Sequence, residues 1–337
     1  MRQIPDIKNC PGTLASGYNT YSPAALRRMF DNRKISHLLD FSNDASSRAL
    51  IDNNIGRISI SGVQEKLSTI ISKGKICLVP EGVQSHYIIK PVPDDKRLNH
   101  RNQMPANEHL TMQIARQVYG ITTAENALIF FQNNEPAYIT KRFDIKKDNT
   151  KIKQEDFASL LQKTSETHGK YFKYSGSYAD VGLLFQKHVA AWQVEVSKFF
   201  RLTVFNYLFA NGDAHLKNFS LQQSASGDYI LSPAYDLLNS SLHIQDEDFA
   251  LENGLFGKEF YSEVYQQKGH PCQDDFAVFG KIIGVSDVQI KKIVQEFLVP
   301  QTLVYDLTER SFLDEKLKRM YIRSYEERLK RLRRSGN

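Results

Sequence analysis

Apolar and polar positions follow two different rhythms along this chain, and the change falls near residue 144. Before it, short stretches alternate with a period of two: Arg57-Ile-Ser-Ile60, Lys66 to Ser72, Lys75 to Val79, Tyr87-Ile-Ile-Lys90, Asn126 to Phe131 and Ala137 to Phe143. That period, with β-branched residues and bounding turns, predicts strands. Lys73-Gly74 predicts a hairpin turn between two of them. One helical period interrupts the series, from about Ala106 to Tyr119, with Leu110, Ile114 and Val118 on one face. A small sheet with a single helix is expected over residues 56–143. Residues 1–55 read as an N-terminal adaptor segment. It holds a turn at Cys10-Pro-Gly-Thr13 and a short helix opened by Ser22-Pro23.

Beyond Asp144 the period becomes helical. Helices are expected at Gln154–Leu161, Tyr178–His188, Glu195–Ala210, Asp274–Ile283 and Asp287–Val299, and as one long element from Thr308 to Arg334. A Gly/Ser/Lys/Tyr-rich connection from Thr164 to Ser177 is expected to be mobile. The expected fold class is α+β, with segments 1–55, 56–143 and a largely helical 144–337.

Composition narrows the class. The chain has 337 residues, 41% hydrophobic and 11% aromatic, enough for a sizeable folded core. Its three cysteines, Cys10, Cys77 and Cys272, are far apart and form no Cys-x-x-Cys pair. That argues against a disulfide framework or structural zinc and fits a reducing, cytoplasmic setting. The start lacks the apolar core of a secretory leader, and no stretch reaches about 18 apolar residues. The formal charge is +6, with much of the excess between Lys316 and Arg334. Such a run could touch nucleic acid or an acidic partner, but it more often is a solvated helix face.

The candidate chemistry lies in Asn211-Gly-Asp-Ala-His-Leu-Lys-Asn218, followed after a short hairpin by Tyr235-Asp236. The run reads as Asp-x-x-x-x-Asn and then a second acid. Phosphoryl transfer needs one carboxylate to orient the acceptor hydroxyl, and an amide oxygen plus another carboxylate to hold Mg²⁺ on the ATP phosphates. Asp213 takes the first role; Asn218 and Asp236 take the second. Asn-Gly-Asp is also ordinary turn chemistry. Here, however, the mostly apolar Phe199 to Phe209 leads directly into the octet, as a buried helix delivering charged groups to one place would. His215 could orient the carboxylate or touch phosphate, and Lys217 could neutralise the transferring group. Lys90, at a strand end, could pair with the phosphates, and Glu108 on the predicted helix could hold that lysine. Ser61-Gly62-Val63-Gln64-Glu65-Lys66 offers one glycine among small residues where backbone could approach phosphate. At Lys141-Arg142-Phe143 the backbone could meet adenine.

Taken together, Ser59 to Lys66, Tyr87 to Pro91, Ala106-Asn-Glu-His109, Lys141 to Asp144, Gln154-Glu-Asp-Phe157, Gly212 to Phe219 and Pro233 to Leu237 resemble the HipA family of bacterial toxin kinases, in the family's order. The resemblance implies a two-lobed, protein-kinase-like fold: a small β-sheet lobe and a larger helical lobe. It implies an ATP- and Mg²⁺-dependent serine/threonine kinase that inhibits translation by phosphorylating an aminoacyl-tRNA synthetase. Lys90 would contact the phosphates, Ser61 to Lys66 would line the phosphate loop, and Lys141 to Phe143 would form the adenine edge. Ser59 would be an inhibitory autophosphorylation site, with Ser61 offering a second hydroxyl. The phosphate loop begins too early to leave room for the family's extra N-terminal subdomain. That matches a short form in which a separate small protein supplies the subdomain, beside a HipB-like DNA-binding antitoxin. DNA contact would then be indirect, through the antitoxin. Two other classes compete: a non-catalytic pseudokinase-like module that binds an antitoxin–DNA complex, and a lipid kinase with a similar Asp-x-His-x-x-Asn loop. The chain lacks an obvious membrane-docking helix outside its C-terminus.

Overall fold

The computed structural model describes residues 7–43, 65–80, 82–146, 148–257 and 261–336. The expected strand at 57–60 and the loop residues Ser59, Ser61, Gly62, Val63 and Gln64 lie outside them. The chain divides into two compact units. The first holds residues up to 114, 123–151 and 303–318; the second holds 115–122, 152–302 and 319 onward.

The first unit is built on a five-stranded antiparallel sheet, ordered β2-β1-β3-β5-β4. Its strands are β1 (Leu67–Ser72), β2 (Lys75–Leu78), β3 (Tyr87–Lys90), β4 (Asn126–Phe130) and β5 (Pro136–Lys141). Lys73 and Gly74 both take positive φ and close the β1–β2 hairpin, with Ser72 opposite Lys75. That is the turn geometry that matches strand twist.

One sheet face is covered by the N-terminal segment. Helix α1 (Pro23–Phe30) starts at Ser22, whose side chain accepts from Ala25 N, and stops at Asp31 in the left-handed region. Ala25, Met29 and Phe30 join Tyr87, Ile89, Ala127, Ile129 and Ile139 in one buried cluster. Tyr21 Oη donates to Leu128 O at 2.6 Å and Tyr87 Oη to Met29 O at 3.0 Å. Residues 7–43 therefore form a layer of the first unit.

Helix α2 (Met104–Gln117) starts two residues earlier than its apolar pattern suggests. It is also buried nearly all round, where the sequence predicted one apolar face. Asn107, Glu108, His109, Thr111 and Gln113 are all buried. Polar groups this deep require partners: Thr111 Oγ1 donates to Asn107 O at 2.9 Å, and Gln113 Nε2 to Asn126 Oδ1 at 3.0 Å.

The second unit is mostly helical but carries a three-stranded antiparallel sheet, β6 (Gln154–Asp156), β7 (Ser220–Gln223) and β8 (Tyr229–Leu231), in that order. The segment expected as a helix from Gln154 is thus strand first. It pairs with β7, and Asp156 then caps the one-turn α3 (Phe157–Leu160) by accepting from Ser159 N. The Thr164–Ser177 connection has defined structure. It forms α4 (Ser165–His168), opened by a Thr164/Thr167 capping box, and a 3₁₀ turn at Phe172–Tyr174.

Helices α5 (Tyr178–His188) and α6 (Trp192–Leu208) lead to the catalytic-loop candidate. Phe199, Phe205 and Leu208 of α6 are completely buried. Further along come α7 (Glu263–Lys268), α8 (Gln273–Ile282) and α9 (Asp287–Phe297). The long C-terminal helix is two: α10 (Thr302–Arg310) and α11 (Glu315–Leu332). The break is local, because Asp314 Oδ1 accepts from Leu317 N at 2.8 Å and opens a new helix. No helix among the described residues is long and apolar enough to cross a membrane.

Candidate active site

In the first unit the site centres on β3. Lys90 stands opposite Tyr138 of β5, so both point to the same sheet face. That face is opposite the one Tyr87 and Ile89 turn toward α1. Lys90 Nζ donates to Glu108 Oε1 of α2 at 2.7 Å and lies 5.3 Å from the Tyr138 ring centroid. Both charged side chains are nearly sequestered, at 6% and 7% exposure. Burying such a pair carries a desolvation cost that a simple stabilising role does not explain. A lysine held in place by a helix carboxylate has the geometry that phosphate recognition needs.

The proposed adenine edge stands differently. Lys141 pairs in register with Tyr87, which turns its side chain to the α1 face, where it meets Asp31 at 2.8 Å. The N–H groups of Lys141 and Arg142 donate to Glu125 O and His86 O, each at 2.8 Å. The Arg142 guanidinium is tied to Asp144 and donates to Ser85 Oγ at 3.0 Å. Lys141 is therefore not brought to the Lys90 face. Asp31, His86, Tyr87, Lys141 and Arg142 instead help line a separate cavity of about 350 Å³. Glu65 and Lys66 precede β1 and are half-buried.

The second unit carries the Asp-x-x-x-x-Asn loop. Helix α6 ends at Leu208, and Ala210 turns the chain in the left-handed region at φ 50°. Asn211 N returns to Asn206 O at 2.8 Å. His215 N donates to Asp213 O at 2.8 Å and Asn218 N to His215 O at 2.9 Å, rolling the loop into a 3₁₀ turn over Leu216–Asn218. Tyr178 Oη anchors Ala214 O at 2.8 Å, and Tyr235 Oη anchors Lys217 O at 2.9 Å.

Within this frame Asp213 is half-buried. Burial raises its pKa; a hydrogen bond from Tyr174 and the nearby Lys173 work in the other direction, and the Asp236 carboxylate pushes it up again. Tyr174 Oη donates to Asp213 Oδ1 at 2.8 Å. A carboxylate made more basic in this way suits proton acceptance from a hydroxyl. Sequence reasoning missed Tyr174. It comes from the connection expected to be mobile, and no spacing links it to residue 213.

His215 stacks edge-on to Tyr174, with ring centroids 5.3 Å apart. Burial, with help from Lys173, lowers its pKa to about 3, so the ring is neutral at ordinary pH. Lys217 is half-exposed and pairs with Asp156 Oδ2 at 2.9 Å, which fixes the loop to the α3 cap.

Two residues fit a metal. Asn218 Oδ1 is buried with no hydrogen-bond partner, an arrangement that usually has a reason. Asp236 is held at φ 56°, in the left-handed region. No group of three or more His, Cys, Asp or Glu is placed to hold a metal among the described residues. An amide oxygen and a carboxylate are ligands that a hard, largely hydrated Mg²⁺ would accept.

The sequence profile for the HipA-like C-terminal domain matches residues 58–301. A Haemophilus influenzae protein named "Putative kinase" is 28% identical over 330 residues, covering 92% of this chain and 91% of its own. "Putative kinase Y4dM" of Sinorhizobium fredii is 31% identical over 214 residues, covering 59% of this chain and 49% of its own. Among solved structures, the chain is similar to one from the Shewanella oneidensis HipA, HipB and operator DNA complex, with a TM-score of 0.59 and 20% identity. That match covers 82% of this chain and 65% of the Shewanella chain, just under two thirds of its length. It is also similar to the Helicobacter pylori proinflammatory kinase CtkA, with a TM-score of 0.51, 16% identity, and 83% and 92% coverage. Both matches bear on fold, which is kinase-like.

Proposed function

The chain belongs to the family with a HipA-like C-terminal domain, and on that premise we propose that it is an ATP- and Mg²⁺-dependent serine/threonine protein kinase. The observation that carries this reading is the buried Lys90–Glu108 pair at 2.7 Å, in a chain that also retains Asp213, Asn218 and Asp236. A module that only docks partners has no use for a desolvated lysine held by a helix carboxylate. That weighs against the pseudokinase reading.

In the proposed reaction an acceptor hydroxyl attacks the γ-phosphorus, the bond to the β-phosphate oxygen breaks, and ADP leaves. Asp213 orients the hydroxyl and takes its proton. Tyr174 occupies Oδ1 and fixes the carboxylate's rotation, directing the other oxygen to the acceptor. Lys90 neutralises phosphate charge and Glu108 keeps it in place. Asn218 and Asp236 would hold Mg²⁺, which when bound neutralises charge on the phosphates. His215, neutral and packed on Tyr174, shapes the loop. The pairing of Lys217 with Asp156 supports a loop-fixing role as well.

The biological reading is a toxin of a toxin–antitoxin pair that phosphorylates an aminoacyl-tRNA synthetase and is restrained by phosphate on Ser59 or Ser61. A HipB-like antitoxin is the proposed partner, with DNA contact through it. Support comes from the family and from the Shewanella assembly with HipB and operator DNA. The test is transfer of labelled phosphate from ATP to protein in a bacterial extract. Wild type should label a discrete band only with Mg²⁺. Asp213→Asn should keep the fold and lose about 10²-fold or more in rate. Labelling at the wild-type rate by the variant would remove Asp213 from catalysis.

A further inference from the structure

The backbone just before Asp213 is held from outside its own loop. Gly212 N donates to Ser240 Oγ at 2.8 Å. Ser240 N donates to Ala210 O at 3.1 Å, and Ser240 Oγ lies 3.0 Å from the same carbonyl. Ser240 Oγ also lies 2.5 Å from Asp246 Oδ2, and Glu247 N donates to Asp246 Oδ1 at 3.1 Å. Asp246 packs directly on the loop: a Cβ built on Gly212 would fall 2.3 Å from the Asp246 carboxyl carbon. Residue 212 must be glycine for this approach, although its φ is not in the left-handed region. Ala210, the residue bound at its carbonyl, does take that conformation.

A serine hydroxyl has one proton and can accept at its lone pairs. Ser240 Oγ accepts from Gly212. It then faces two oxygens, the Ala210 carbonyl and Asp246 Oδ2, with one proton for both. If Asp246 is ionised, one contact has no hydrogen. If Asp246 is a neutral acid, it donates to Ser240, Ser240 donates to Ala210 O, and every contact is a hydrogen bond.

We propose that Asp246 is a positioning residue for catalysis, acting as a neutral carboxylic acid that donates to Ser240 and so fixes the Ala210–Gly212 backbone that aims Asp213. The role rests on the kinase reading above, because it is defined by what Asp213 does.

The surroundings agree with a retained proton. Burial is the main influence raising the Asp246 pKa; the Ser240 and Glu247 bonds oppose it, the Asp213 carboxylate raises it further, and Arg328 lowers it. Asp246 also lines a cavity of about 290 Å³ with Asp248, His270, Glu327, Arg328 and Arg331. There Arg328 and Arg331 both reach Asp248, which also meets His270 at 2.7 Å. Both arginines form their ion pairs with Asp248, and Arg328 is the smallest of the influences on Asp246.

Asparagine separates the possibilities, since its amide donates as a neutral acid does and cannot carry the charge of a carboxylate. Asp246→Ala should lower kcat by about 10²-fold, the scale of a slightly misplaced catalytic group, with Asp246→Asn within about threefold of wild type. Wild-type kcat should fall as pH rises through the Asp246 pKa, and the Asn variant should lose that alkaline limb. Hydrogen exchange at the Gly212 amide gives a readout independent of catalysis: protection retained in Asn and lost in Ala. An Asn variant as impaired as Ala, or an alkaline limb left unchanged in it, would overturn the proposal. If wild type transfers no phosphate while Gly212 protection still follows Ala and Asn as expected, the kinase reading fails and the backbone clamp stands.

Discussion

Asn218 offers a test in which stability and ligand response should move in opposite directions. Its Oδ1 is buried with no hydrogen-bond partner, in a residue 8% exposed. Leaving such an acceptor unsatisfied costs about 1–3 kcal/mol. Replacing Asn218 by leucine, of similar size and without the carbonyl, should relieve that cost. The ligand-free variant is expected to be about 1–2 kcal/mol more stable, since part of the gain is lost with the amide nitrogen. In a unit of this size that corresponds to about 2–4 °C in Tm per kcal/mol. With Mg²⁺ and ATP at about 100 times Kd, wild type should gain about 2.7 kcal/mol by mass action. The variant should lose the Mg²⁺-dependent part of that gain, so the order of the two Tm values reverses. Scanning calorimetry with ATP alone, ATP plus Mg²⁺, and ATP plus Mg²⁺ plus EDTA would read all three states. A variant less stable without ligand would mean that Asn218 supports the loop itself. A variant with the full Mg²⁺-dependent shift would remove it from the metal site.

Further outcomes concern the other half of the machinery and its control. Lys90→Met deprives the buried Glu108 carboxylate of its ammonium partner and should cost about 3–5 kcal/mol. Lys90→Met/Glu108→Gln should recover much of that in urea unfolding yet still fail to bind ATP by calorimetry; recovery of both would make the pair structural. Tyr174→Phe removes the bond that holds the Asp213 pKa down. Asp213 must be ionised to accept a proton, so the acid limb of the kcat–pH profile should move to higher pH; an unmoved limb would detach Tyr174 from the base. Intact-mass and peptide spectrometry should find phosphate on Ser59 or Ser61 in wild type and none in Asp213→Asn made alone; equal phosphate in both would exclude autophosphorylation.

The sequence was most legible where function and local pattern coincide. The five-residue offset from Asp213 to Asn218 needs only a helix end and one turn, and α6 supplies both. Lys90 and Glu108 could be nominated separately, and β3 and α2 bring them together. Lys73-Gly74 specified its hairpin because only two positive-φ residues were needed. Longer-range arrangements were hidden. Gln154 to Asp156 look helical until β7, more than 60 positions later, pairs with them. The facing of Lys141 depends on its register with Tyr87, a fact of pairing rather than of local pattern. Tyr174, Ser240 and Asp246 reach the Asp213 loop from separate turns, and no spacing in the chain records their meeting. The break before Glu315 was visible only as an aspartate, a residue with many other uses.

The strand that bears Lys90 has a consequence for any attempt to trim this protein. The family profile begins at residue 58, and a fragment cut there would hold everything that the profile matches. Yet Tyr87 and Ile89, on the same four-residue strand, are sealed by Tyr21, Met29 and Phe30 from before that boundary. A fragment begun at residue 58 would expose a broad apolar sheet face to water, and sheets bared in this way associate with one another. It should collect in inclusion bodies, and the Lys90–Glu108 pair would be lost with its scaffold. The boundary of the family profile and the one drawn from burial differ here by some 50 residues. For expression, the boundary drawn from burial is the one to follow.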